Sequence, residues 1–230
     1  MRAHLFLRRG ALALTAALVA CAASAGPADA LPLPRDARTE IIGDDMRFNG
    51  ASMQIVRFDT ADAQATECFY RDFFVRHGRA GKSVVNERNG VRVLSGIQDG
   101  RLITAEFAGA TGATSVLVSS MVLAEMRNPE ELAPQAPRMP GTAVLQVIES
   151  RDGPVRNTVT SMRNNQTVEG NAMYLRAQML RAGWSRQRDH TEQTQVARQL
   201  FFTRDGKESL VDIRRMDNGE TYIVMNETQR

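Results

Sequence analysis

Apolar residues recur at steps of three and four at Val168, Ala172, Leu175, Met179 and Ala182, which is one face of an α-helix. Asn165 stands at the N-cap place, and Gly183 stands where a helix stops. On either side the pattern shortens toward strands. Ala143 to Glu149 and Val155 to Met162 precede the helix and flank the turn signal Asp152–Gly153. Trp184 to His190, Val196 to Thr203, Glu208 to Arg215 and Thr221 to Asn226 follow it.

The same plan is legible about 105 residues upstream. Strand signals at Ile41–Ile42 and Met46 to Phe48 lead to the turn Asn49–Gly50 and a strand from Met53 to Phe58. Thr60 is the expected cap of a helix that runs to about His77, where Gly78 and Gly81 break it. Short strands follow, from Ser83 through Ile97, from Arg101 to Ala108 and from Thr114 to Val122. Phe69 matches Tyr174, Arg71 matches Arg176, Phe74 matches Met179, Val75 matches Leu180, and Arg76 matches Arg181. Asp99–Gly100 then matches Asp205–Gly206, and Gly112 matches Gly219. The offset drifts only in turns. One misfit stands out: Glu67 falls on the face that Ala172 occupies in the second helix.

The expectation is an α+β chain, a tandem duplication of a ββαβββ-type unit, with antiparallel sheets each covered by one helix. Closely spaced strands with tight turns require antiparallel pairing, because parallel neighbours need a crossover. The units span 40–122 and 142–230, either as separate small domains or, as preferred, closely associated, with their edges joined into one larger sheet that hides edge strands. Four of the eight prolines fall between Pro129 and Pro140, so 123–141 reads as a connector without helix or strand.

Residues 1–30 carry the marks of an export signal. Arg2, Arg8 and Arg9 form a basic start, and Ala11 to Ala20 form a short apolar run. Leu18-Val19-Ala20-Cys21 resembles a lipobox, which implies lipidation at Cys21 with cleavage before it. Ala23-Ser24-Ala25 and Ala28-Asp29-Ala30 offer ordinary cleavage instead, after Ala25 or Ala30. Resemblance to lipoprotein sorting implies the outer membrane, since Ala22 rather than an aspartate follows the cysteine. Every route places the chain on the periplasmic side of the envelope or beyond it, as a lipoprotein or as a soluble periplasmic or secreted protein. The Pro- and Ala-rich stretch to about residue 39 reads as a tether.

Charge then changes the picture little. The formal net charge is +3, but removing the three leader arginines leaves 26 basic residues against 26 acidic ones. No basic cluster with interleaved aromatics tracks a phosphate backbone, so no nucleic-acid partner is expected. Two cysteines, Cys21 and Cys68, exclude a disulfide framework, and Cys68 reads as a buried structural thiol.

Candidate chemistry is sparse. His77 and His190 have no Cys, Asp or Glu at zinc spacing, and no H-E-x-x-H, C-x-x-C, G-x-S-x-G or Walker-type motif occurs. Gly109 to Gly112 precedes a strand, not a helix, and reads as a hairpin turn. Cys68 and His77 on one helix would lie about 13.5 Å apart, too far for proton transfer. No metal and no cofactor is expected. Arg71, Arg76, Arg176 and Arg181 recur at matching helix positions and are candidate contacts to an acidic partner or ligand; the alternative is surface arginine whose stem covers apolar groups.

The expected function is therefore a non-catalytic, lipid-anchored envelope protein that binds another envelope protein, as an assembly or secretion accessory. The alternatives are a periplasmic module for a small molecule or lipid, and a hydrolase with a dispersed site. An exposed apolar face favours the first, a lone apolar pocket the second, and convergent acids in a cleft the third.

Overall fold

The structure is a computed structural model, and it describes residues 31–77, 84–88, 90–109, 114–191 and 196–230. Cys21, Gly78, Gly81, Ser83 and Gly112 lie outside them. Two strands, β1 (Glu40–Phe48) and β2 (Ala51–Thr60), precede helix α1 (Ala63–His77). Four follow it: β3 (Val84–Arg88), β4 (Val91–Gln98), β5 (Arg101–Ala108) and β6 (Thr114–Val122). A 3-10 turn (Leu123–Glu125) and a short helix α2 (Pro129–Leu132) lead to β7 (Ala143–Asp152) and β8 (Val155–Asn164). Helix α3 (Val168–Arg181) is followed by β9 (Ser185–Thr191), β10 (Ala197–Arg204), β11 (Lys207–Arg215) and β12 (Thr221–Gln229).

All twelve strands form one antiparallel sheet, in the order β3-β4-β5-β6-β2-β1-β7-β8-β12-β11-β10-β9. This overturns the expected α+β fold of sheets each covered by one helix; four strands follow each long helix where the ββαβββ plan has three, as the four segments after the second helix already indicate. The joint is β1 against β7, with Met46 opposite Ser150, Arg47 opposite Glu149 and Phe48 opposite Ile148. Two edge strands that would each expose a row of unpaired amides satisfy one another there. Asn49 fastens the joint. Its N–H donates to the Val147 carbonyl at 2.8 Å, and its side-chain Oδ1 accepts from the Val147 N–H at 2.8 Å. The turn residue Asn49 has φ +48°, a conformation that asparagine tolerates better than most side chains.

Residues opposed across an antiparallel pair share a face. Phe58 opposes Val116, Val116 opposes Phe107, and all three belong to the core under α1. In β2, Ser52 shares that face; it opposes Arg47, which opposes Glu149, two residues from the core residue Val147 under α3. Both long helices therefore cover the same face. Leu132, Ala133 and Ala136 of the connector pack on the second core, and Leu31, Leu33 and Ala37 on the first.

Those last contacts correct two expectations. The stretch 31–39 is not simply a tether: Leu31 and Leu33 dock on the core, and Tyr70 donates its hydroxyl to the Pro32 carbonyl at 2.9 Å. The Pro-rich connector does hold a helical turn. Pro129 sits in the first turn, where its missing N–H costs nothing, and the Asn128 side chain accepts from the Glu130 N–H.

The helix caps also lie two residues further on than the sequence suggests. Asp62 Oδ1 accepts from the Ala65 N–H at 2.8 Å, and Thr167 Oγ1 accepts from the Gly170 N–H at 3.0 Å. Asn164, one residue before the expected Asn165 cap, turns inward instead. Asn164 and Asn171 exchange amide hydrogen bonds at 2.7 and 3.1 Å, and Asn164 also donates to Thr142 Oγ1 at 2.8 Å. This buried, satisfied network ties the start of α3 to β8 and to Thr142, just before β7.

Candidate functional site

Each long helix is clasped to the sheet by an arginine rising from the second strand after it. Arg92 on β4 opposes Phe107, and Arg198 on β10 opposes Ile213, the corresponding place in the other half. Glu67 Oε1 receives Arg71 at 2.6 Å, while its Oε2 receives Arg92 at 2.6 Å. Burial alone would raise the Glu67 pKa, but hydrogen bonds from Arg92 and Arg71 hold it below the usual carboxylate value. In the second half Arg198 makes two bonds to Asp189, at 2.7 and 2.9 Å, and a third to Glu169 on α3. The bond from Arg198 holds the Asp189 carboxyl low against the opposing effect of burial.

These clasps settle where the sequence candidates go. Arg71 is paired to Glu67, and Arg176 lies 3.5 Å from Asp189. Arg76 pairs with Asp72 at 3.3 Å on the open surface. Arg181 stands exposed in the last turn of α3. The four do not converge on one place. Glu67, which looks misplaced on an apolar face, is explained by Arg92, a partner 25 residues away. Sequence reasoning had no local signal for Arg92 or Arg198, beyond their matching places in the repeat.

Cys68 is exposed, which overturns its reading as a buried thiol. It borders a shallow groove of about 430 Å³ with Ala63, Gln64, Glu67, Arg71 and Arg92. The carboxylate there is held ionised by two arginines, so it offers no proton to a substrate near neutral pH. His190 lies on β9 opposite Gln199, and His77 ends α1. Among the described residues no group of three or more His, Cys, Asp or Glu side chains is placed to hold a metal ion.

One acid behaves differently. Glu227 on β12 is partly buried, and burial pushes its pKa up against the nearby charges of Lys207 and Arg204. It opposes Ser209, whose buried hydroxyl has no hydrogen-bond partner among the described residues. The sequence offered no hint of this corner, because Glu227 lies near the end of an alternating strand like any solvated residue.

The most extensive feature is the other face of the sheet. Among the described residues, the helices and connecting segments that pack on the sheet lie on the opposite side. A row of directly opposed side chains crosses the uncovered face in the first half: Ile97, Leu102, Met121, Met53 and Met46. Two residues along β1, Phe48 starts the next row, which continues through Ile148, Val159, Asn226, Leu210 and Phe201. The two rows make one apolar belt over ten strands, interrupted by a single amide. Every member is at least partly exposed, and Ile97 and Leu210 keep 49% and 43% of their surface in solvent. Isolated exposed apolar residues need no explanation, but a contiguous belt of this length does.

Comparison with family models, with curated proteins and with solved structures finds no match for this chain.

Proposed function

We propose that this chain is an exported, lipid-anchored, non-catalytic envelope protein that works by binding protein through the uncovered face of its sheet. The observation that carries the reading is the apolar belt from Ile97 to Phe201. Water meets it as an unfavourable surface, worth about 25 cal/mol for each Å² removed. The acid–arginine clasps support the non-catalytic part. Arg92 and Arg198 hold Glu67 of α1 and Glu169 of α3 to the sheet, and the arginines keep the Glu67 and Asp189 carboxyls below their ordinary pKa values. The leader supports export, and Cys21 with its preceding Leu-Val-Ala supports the lipid anchor on the periplasmic side, at the outer membrane.

Two experiments test this reading. A photo-crosslinking residue at Leu117, on the uncovered face, should yield protein adducts in cells, while one at Val75, on the outer side of α1, should not. Adducts from Val75 alone, or from neither, sink the binding surface. Palmitate labelling lost in Cys21→Ala supports the anchor; labelling absent from both forms removes it.

A further inference from the structure

We propose that the partner on the uncovered face is a second copy of this chain, so that two sheets stack face to face with their helices outermost. The inference rests on the reading of that face as a protein-binding surface and names its occupant.

Area is the first argument. Twelve strands about 4.8 Å apart, each of about eight residues rising about 3.3 Å, give a face of roughly 1,500 Å². Two such faces in contact bury on the order of 3,000 Å², within the range of permanent homodimers. Half of that overlap still reaches the standard size of a stable interface.

Shape and symmetry agree. The belt runs across the strands, so a two-fold axis lying along it lays each belt on its mate. That operation keeps the strands of the two sheets aligned, which is a preferred way for sheets to pack, about 10 Å apart. An isologous interface asks for no other surface on either copy.

Charge agrees as well. The belt holds no ionised group. Beside it on the same face, Arg57 and Arg163 are paired within the chain, to Glu40 and to Glu220, and the further charges are of both signs: Glu106, Glu208 and Asp212 with Arg188, which opposes Phe201, and Arg214. Without the leader arginines the chain is balanced, 26 basic against 26 acidic. Two copies therefore meet without a field of like sign. An anionic membrane, by contrast, would be met by a cluster of Lys and Arg, which this face lacks among the described residues.

The test is sedimentation equilibrium of the full chain after export and processing in a bacterial host, with Ile97→Glu and Leu210→Glu as variants. Both positions are half exposed in the single chain, so a glutamate there costs the fold little. Circular dichroism melts check that each variant is folded. Val75→Glu and Leu180→Glu, exposed on the helix side, are the controls. The expected result is twice the chain mass at micromolar concentration, a dissociation constant raised at least about 100-fold by either face variant, and no change in the controls. A single-chain mass at every concentration up to on the order of 100 µM overturns the dimer. So does a dimer broken by the helix-side variants and untouched by those on the face. If the chain is single but Leu117 still crosslinks to a different protein in cells, the second copy is excluded while the binding face stands. If it neither pairs nor crosslinks, both fall.

Discussion

Phe74 of α1 rests on Gly96 of β4: a methyl group built at that glycine would lie 2.5 Å from the ring's Cδ1. The corresponding pair in the second half is Met179 and Phe202, both buried in the second core. There the strand carries the ring and the helix the thinner side chain. In the first half glycine leaves the room that the ring occupies, whereas in the second half both positions carry large buried side chains, so the two halves pack this place differently.

Gly96→Ala should therefore destabilise the protein by about 1–3 kcal/mol through overpacking. Urea unfolding measures it. Phe74→Leu in the same chain should return part of the loss, because the two positions share one space. An alanine with no effect would mean that α1 is free to shift.

The Asn49 clasp makes a second prediction. Asn49→Ala leaves the Val147 N–H unsatisfied at the joint and places alanine at φ +48°; Asn49→Gly removes only the acceptor. Both should lose stability, about 1–3 kcal/mol for the lost acceptor, with alanine the worse of the two. Hydrogen exchange at Val147 should quicken in both. Equal stabilities for the two variants would show that the backbone strain is negligible.

Acid should weaken the fold through Glu67 and Asp189. Both have pKa values below their ordinary values of 4.5 and 3.8. The stability they contribute is fully present above those values and lost as pH falls through the depressed ones. Urea midpoints should drop as pH is lowered below about 4.5, and Glu67→Gln should flatten part of that slope. An unchanged slope would mean that the arginines do not bind Glu67 more tightly in the folded chain.

Glu227 should act with the opposite sign. Burial raises its pKa, so the folded chain favours its protonated form. Its contribution is present below the ordinary value and is lost as pH rises through the raised one. Glu227→Gln should then be more stable than the parent at neutral pH, with the advantage vanishing in acid. Thermal melts at pH 7 and in acid compare the two directly, and a glutamine that destabilises at pH 7 would refute the direction.

Exposure of Cys68 predicts its reactivity. A maleimide should label it completely in the native chain, without denaturant, and labelling should leave the melting temperature nearly unchanged. Labelling that waits for unfolding would restore the buried thiol.

Much of this architecture is legible in the sequence alone. The turns Asn49–Gly50, Asp99–Gly100 and Asp205–Gly206 all have positive φ at both residues, the conformation that tight hairpin turns require. Gly183 ends α3 with φ +81°, where a side chain would be strained. The stripe Ala172, Leu175 and Met179 faces the core as its spacing demands. Each of these is decided within a few residues by backbone sterics or helical period, so the local chain suffices.

What tertiary structure alone decided is long in range. The pairing of β1 with β7 is made mainly by backbone groups, with the Asn49 side chain adding one bond, so the pattern of side chains allowed one joined sheet without selecting it. Arg92 reaches Glu67 across 25 residues, and Arg198 reaches Glu169 across 29; an ion pair of that span has no periodic signature. The uncovered belt is the sharpest case. Alternation along a strand says that it has two faces, but only the register across β1 and β7 shows that both helices chose the same one.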